Sequence, residues 1–193
     1  MLFYPSEREI YPENYQSRVN VDDLSGRLCG AYRPGHFQGV VTVVAKLFNI
    51  VRPHVAIFGE KDYQQLLLIR RLVRDLNYDI EIVGHPIVRE ADGLAMSSRN
   101  IYLSPQERQA ALCLSRSLRR AACMVQRGET RETVVIDAVR ALIEKEPLAQ
   151  AEYITLCDSV TLRPIEEIQE SALLALAVRI GKTRLIDNQI LKT

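Results

Sequence analysis

Two stretches carry residue types able to hold a polyanion: Gly59-Glu60-Lys61-Asp62-Tyr63-Gln64-Gln65 and Met96-Ser97-Ser98-Arg99-Asn100. A glycine after a strand lets backbone approach a ligand, because no Cβ intervenes. Lys61 can set an ammonium on phosphate oxygens, and Asp62 can accept hydrogen bonds from sugar hydroxyls. Gln65 offers an amide that both donates and accepts, which suits a hydroxy-acid. In the second stretch, the hydroxyls of Ser97 and Ser98 beside the Arg99 guanidinium suit a polyphosphate that accumulates charge. A nucleoside triphosphate is the anion that fits both. Arg33-Pro34-Gly35-His36-Phe37 is a weaker candidate, with Arg33 for a carboxylate and His36 as a proton donor. Each stretch also has an ordinary reading. Glu60 and Asp62 complement the dipole of a solvated helix start, Met96–Arg99 is a surface loop between domains, and Arg33 and His36 are structural.

These groups need elements to hold them. Val40, Val43, Val44, Leu47, Phe48 and Val51 recur at helical spacing from Gln38, and Pro53 ends that helix. The apolar run 54–58 predicts a short strand covered on both faces. A second helix is expected over 63–76, with Leu66, Leu67, Arg70 and Val73 on one stripe, then a strand at 80–83. Strand, helix and strand make a βαβ unit with a right-handed crossover, hence a parallel pair. Ligands bind beyond the carboxyl ends of such strands, where both stretches fall. Residues 1–35 predict loops and extended chain, with one short strand near 17–21, and residues 89–93 a flexible polar lead-in to the second stretch.

A boundary is expected at Leu103-Ser104. Ser104-Pro105-Gln106-Glu107 is a capping box with proline at the first helical position, opening a helix that reaches Gln126 and stops at Gly128. Thr130 is expected to cap a further helix ending near Glu146-Pro147. Apolar runs at 153–157, 173–180 and 183–187 then predict strands. Two helices and three strands make a small α+β domain, so the expected division is 1–103 and 104–193.

The 193 residues are 47% hydrophobic and 25% charged with a net charge of +1, a soluble globular profile. Bulk charge gives no reason to invoke nucleic acid or an anionic membrane, so anion binding must come from local placement. The four cysteines contain no C-x-x-C pair and are expected to be reduced and mostly buried; the three histidines do not cluster with them, which argues against a structural zinc. No signal-peptide pattern or bilayer-length apolar run occurs, so a cytoplasmic location is expected.

The segments Phe58-Gly59-Glu60-Lys61-Asp62-Tyr63-Gln64-Gln65-Leu66 and Ala91-Asp92-Gly93-Leu94-Ala95-Met96-Ser97-Ser98-Arg99-Asn100 resemble the signatures of pantothenate synthetase (pantoate–β-alanine ligase). Arg33-Pro34-Gly35-His36-Phe37 and Gly181-Lys182-Thr183-Arg184-Leu185-Ile186-Asp187-Asn188 are similar to the same family, in the same order. The resemblance implies a partial Rossmann-like parallel sheet of the class I synthetase or nucleotidyltransferase type, followed by the small α+β domain. It implies a ligase in which pantoate attacks the α-phosphate of Mg-ATP. β-Alanine then displaces AMP from the pantoyl adenylate. By the same resemblance Gly59, Glu60, Lys61, Asp62, Val88, Met96, Ser97, Ser98 and Arg99 contact ATP, with Lys61, Ser97, Ser98 and Arg99 in catalytic roles. Gln65 matches a pantoate-binding glutamine, and Arg33 is a further substrate candidate. Mg²⁺ is expected only through the ATP phosphates, and the usual assembly of the family is a homodimer. Met96-Ser97-Ser98-Arg99 also resembles the mobile Lys-Met-Ser-Lys-Ser loop of class I aminoacyl-tRNA synthetases.

The family's His-x-Gly-His motif, whose histidines bind phosphates, does not occur in the chain. Nor does the family's second substrate glutamine. The chain is therefore expected to be a C-terminal portion, with sheet faces left open. Two alternatives stand beside the ligase: a non-catalytic fragment that binds nucleotide or a partner chain, and a related adenylyl-transferring enzyme with another acid.

Overall fold

A computed structural model describes residues 2–193. The chain forms two compact units, one made of the residues up to Phe58 with Gln64–Gly84, the other of Gly59–Tyr63 with His85–Thr193. The turn that carries Lys61 thus belongs to the second unit, although the strand and helix it joins lie in the first.

The first unit contains α1 (Glu7–Ile10), α2 (Cys29–Tyr32), α3 (His36–Val51), β1 (Val55–Gly59), α4 (Tyr63–Asp75) and β2 (Glu81–His85). β1 and β2 pair in parallel with α4 between them, the expected βαβ unit. Its buried apolar residues include Phe37, Val41, Val44, Ala45 and Phe48 on α3 and Leu66, Leu68, Ile69 and Leu72 on α4. Phe48 meets Phe58 and Tyr78 edge to face, at 6.4 and 5.8 Å between ring centres, the geometry aromatic quadrupoles prefer. α3 ends where Arg52 turns left-handed, its N–H closing on the Phe48 carbonyl, and Pro53 follows.

Several expectations change here. Val51 is exposed and Val41 takes the place expected of Val40, so the α3 stripe is rotated by about one residue. On α4, Leu68, Ile69 and Leu72 face the core while Arg70 is exposed. No strand forms at 17–21. The Thr42 hydroxyl instead accepts from the Val19 N–H at 3.0 Å and donates to its carbonyl at 3.3 Å, satisfying the backbone without a ladder. The loops expected over residues 1–35 contain α1, closed by a Ser6–Glu9 capping box, and α2. β1 is not covered on both faces: Val55 and Ile57 are 48% and 67% exposed.

The second unit holds α5 (Pro105–Gln126), α6 (Glu132–Glu144), β3 (Ala149–Cys157), β4 (Ser171–Ile180) and β5 (Thr183–Lys192). The strands form an antiparallel sheet in the order β3-β4-β5. Alternate residues of β4, from Ala172 and Leu174 to Ile180, join one core with Leu114 and Leu118 of α5 and Val135, Val139 and Ile143 of α6. That is the two-residue period of a strand packed under helices. The capping box at Ser104 and Glu107 forms as expected, and α5 ends at Arg127-Gly128. Thr130 does not cap α6. Its hydroxyl donates to Glu167 at 2.8 Å, and Arg131 occupies the cap position without a side-chain bond. Gly181 turns β4 into β5 with a φ of +55°; a Cβ there would stand 2.1 Å from a Glu107 oxygen, so no other residue fits without displacing that cap.

Candidate functional site

β1 delivers the chain to Gly59, whose φ of −72° is ordinary extended backbone. The space a Cβ would occupy there is open to 4 Å, so glycine leaves room at this point rather than relieving strain. Glu60–Asp62 form a single 3-10 turn before α4. Glu60 and Lys61 are half-buried and Asp62 is exposed, placing an ammonium and a carboxylate at the strand's carboxyl end.

The second candidate wall is tightly built. The Met96 N–H donates to the Val88 carbonyl at 2.9 Å, and the Glu90 N–H to the Leu94 carbonyl at 2.8 Å, so 88–96 fold back as a small hairpin. Gly93 makes the bend at φ +95°, and a Cβ there would come within 3.2 Å of the Arg119 guanidinium. Ser97 then caps the 3-10 helix Ser98–Tyr102, its hydroxyl accepting from the Arg99 N–H at 3.2 Å. As an acceptor in that bond, Ser97 keeps its O–H as a donor. Met96, Ser98 and Arg99 are exposed.

In the lead-in at 89–93 the side chains of Arg89, Glu90 and Asp92 are all hydrogen-bonded. Buried Asn100 donates to Glu90 Oε1 at 2.6 Å and to the Ala95 carbonyl at 3.1 Å. Arg108 on α5 spans Glu90 Oε2 and Asp92 Oδ2 at 2.5 and 2.9 Å. The Asn100 and Arg108 hydrogen bonds hold the Glu90 carboxyl below the usual carboxylate range. For Asp92 the Leu94 N–H is the main cause of the same downward shift, with Arg108 adding to it.

β5 touches both walls. Asn188 Nδ2 donates to the carbonyls of Glu60 and Lys61 at 3.0 and 2.9 Å. Asp187 takes Arg89 bidentately at 2.7 and 3.0 Å, and Arg89 also donates to the Gly93 carbonyl at 3.2 Å. A cleft of about 380 Å³ opens between these elements, lined among others by Glu60, Tyr63, Arg89, Arg119 and Asn188. Asp187, Asn188, Glu90, Asn100 and Arg108 were not among the residues singled out for chemistry in the sequence. The available signal was an Asp-Asn pair inside a strand, where both types are disfavoured.

The other candidates lie in the first unit. Gln65 is half-buried on α4. Its neighbour Gln64 is buried and donates to the carbonyls of Leu24 and Arg27 at 2.8 and 2.7 Å, a structural clamp on the preceding segment. Arg33 is exposed and contacts His36 Nε2 at 3.1 Å. The two candidate side chains of this stretch therefore meet each other. Among the described residues no group of three His, Cys, Asp or Glu is placed to hold a metal ion. All four cysteines are free thiols, and burial pushes Cys113 up to about 12. No helix among these residues is long and apolar enough to cross a membrane.

The parallel βαβ pair and the antiparallel C-terminal sheet under two helices define a Rossmann-like α/β protein with an appended α+β unit. Residues 1–190 match the family model for pantoate–β-alanine ligase, and the chain belongs to that family. It is 52% identical over 190 residues to a pantothenate synthetase of Syntrophus aciditrophicus, covering 98% of this chain and 66% of that protein. With the pantothenate synthetase of Desulforapulum autotrophicum it shares 57% over 191 residues, covering 99% and 68%. The crystal structure of the Thermus thermophilus pantothenate synthetase superposes with a TM-score of 0.92 at 45% identity, covering 96% of this chain and 67% of that one. A Francisella tularensis pantoate–β-alanine ligase complexed with β-γ ATP and β-alanine superposes with a TM-score of 0.72 at 32% identity, covering 96% and 62%. The chain thus spans about two thirds of the length of these relatives.

Proposed function

We propose that this chain serves the ATP-dependent condensation of pantoate with β-alanine, through a pantoyl adenylate and with release of AMP and pyrophosphate. A carboxylate is a poor acyl donor until one of its oxygens becomes part of a good leaving group, and adenylation supplies that. The protein's task is then to neutralise triphosphate charge and hold the reactants in line, rather than to provide a nucleophile. The observation that carries the reading is the joining of Glu60–Lys61 and Arg89–Gly93 to adjacent residues of one strand, with two segments typical of the family at the two ends.

In this reading Lys61 and Arg99 neutralise phosphate charge, and Ser97 and Ser98 donate to phosphate oxygens. Gly59, Glu60, Asp62, Val88 and Met96 line the nucleotide. Gln65 takes pantoate, and Arg33 is a second contact for a substrate carboxylate. Mg²⁺ arrives on the ATP phosphates. Residues 104–193 act as a lid on residues 1–103. The protein works in the cytoplasm as a homodimer.

The test is pantoate-dependent ATP–pyrophosphate exchange by the 193-residue chain with Mg²⁺, beside a Lys61→Ala variant. A charge-assisted hydrogen bond contributes about 1.5–3 kcal/mol, so the variant is expected to lose roughly 10- to 100-fold in exchange. Equal exchange by both proteins would remove Lys61 from the reaction. A folded wild-type chain without exchange would refute adenylation by this chain alone. Exchange with other acids and not pantoate would refute the choice of substrate.

A further inference from the structure

Asp187 and Asn188 are buried polar residues inside β5, a costly placement unless their groups are bonded. Both are bonded, and both bonds lead to the candidate site. The two N–H groups of the Asn188 amide are spent on consecutive carbonyls, Glu60 and Lys61, so the residue clamps the 3-10 turn that carries the Lys61 side chain. Asp187 fixes the Arg89 fork, and Arg89 reaches on to the Gly93 carbonyl at the bend of the hairpin that leads into Met96–Arg99. A third bond, from the Asn188 N–H to Asp187 Oδ1 at 2.8 Å, orients the carboxylate from within the strand. Each tether therefore fixes a different wall, and the two attachment points are neighbours on one rigid element.

We propose that Asp187 and Asn188 are positioning residues that set the register of the Lys61 turn against the Ser97–Arg99 loop. The inference rests on the adenylation reading above. Only an amide does what Asn188 does: a carboxylate of the same shape would face two carbonyl oxygens with no donor. Asp187 likewise needs both oxygens for the fork of Arg89, which a lysine at 89 would not reproduce. Neither side chain is assigned any contact with substrate. Their effect should appear in the rate of the step rather than in the capture of ATP, since misplacing a reacting group by about 1 Å costs up to about 100-fold.

The experiment compares wild type, Asn188→Asp, Asp187→Asn and Arg89→Lys in three measurements on the same preparations. These are ATP–pyrophosphate exchange, thermal unfolding, and hydrogen–deuterium exchange of peptides covering 59–64 and 88–100. The expected result for Asn188→Asp is a 10- to 100-fold fall in kcat at a KM for ATP changed by less than about threefold, in protein still folded at the assay temperature. Deuterium uptake should rise in 59–64 for Asn188→Asp, and in 88–100 for Asp187→Asn and Arg89→Lys. Unchanged kcat and unchanged uptake in folded variants would overturn the inference. So would a loss of activity that only follows a lowered melting temperature, with uptake raised evenly across the sheet. If wild type itself gives no exchange, the adenylation reading fails, while the location of the raised uptake still decides whether the tethers hold these two walls.

Discussion

At the scale of single residues, charge in the candidate site is managed by pairing. Arg108 serves Glu90 and Asp92 together, and the Leu94 N–H and the Asn100 amide complete their coordination. Both carboxyls are thereby held below their ordinary values of 4.5 and 3.8. A depressed carboxyl pKa means that the unfolded chain binds the proton more readily. The pair's contribution to stability is therefore complete above the ordinary values and is lost as pH falls through the lowered ones. Urea unfolding of wild type should weaken between about pH 5 and 3 more steeply than that of a Glu90→Gln, Asp92→Asn double variant, which has nothing to titrate at these positions. Parallel pH profiles for the two proteins would show that the network adds nothing to folding. Arg33 and His36 illustrate a pairing that composition hides: the sequence presents two groups available for catalysis, and the structure bonds them to one another.

Among the elements, those whose signals are local were legible and those set by distant contacts were not. The start of α5 depends on Ser104, Pro105 and Glu107 alone, and it forms as expected. Replacing Ser104 with Ala should cost about 1 kcal/mol, read as a lower urea midpoint at unchanged slope; no change would mean that Glu107 and water suffice to close the first turn. Thr130 carries the same kind of local signal and fails, because Glu167, distant in sequence, takes its hydroxyl. The strand expected at 17–21 fails for a related reason: Thr42 on α3 satisfies the Val19 backbone from the side. The β4 and β5 strands were found but drawn short, since β5 continues to Lys192. The site divides in the same way. Its candidate binding groups are visible as motifs, whereas the residues bonded to those segments, Asp187, Asn188 and Asn100, are ordinary in type and become informative only through their partners.

For the molecule as a whole, the open face of the β1–β2 sheet is the feature with a physical cost. Val55, Ile57 and Val83 alternate outward and are 48%, 67% and 36% exposed. Contiguous apolar surface of this kind drives association, so sedimentation should show self-association that grows with concentration. Ile57→Lys is expected to reduce it without lowering the melting temperature; equal association would place the contact elsewhere. The clamp on the Lys61 turn has a consequence of another sort. Asn188 lies 128 residues after Glu60 in the chain. A ribosome adding about 5–20 residues per second takes roughly 6–25 s to cover that distance. During that interval the turn has been made but its anchor has not, whatever else in the nascent chain has folded. Register between these two walls is thus a property of finished synthesis: a premature stop between α5 and β5 leaves a polypeptide that carries both segments in its sequence but lacks the strand that ties one to the other.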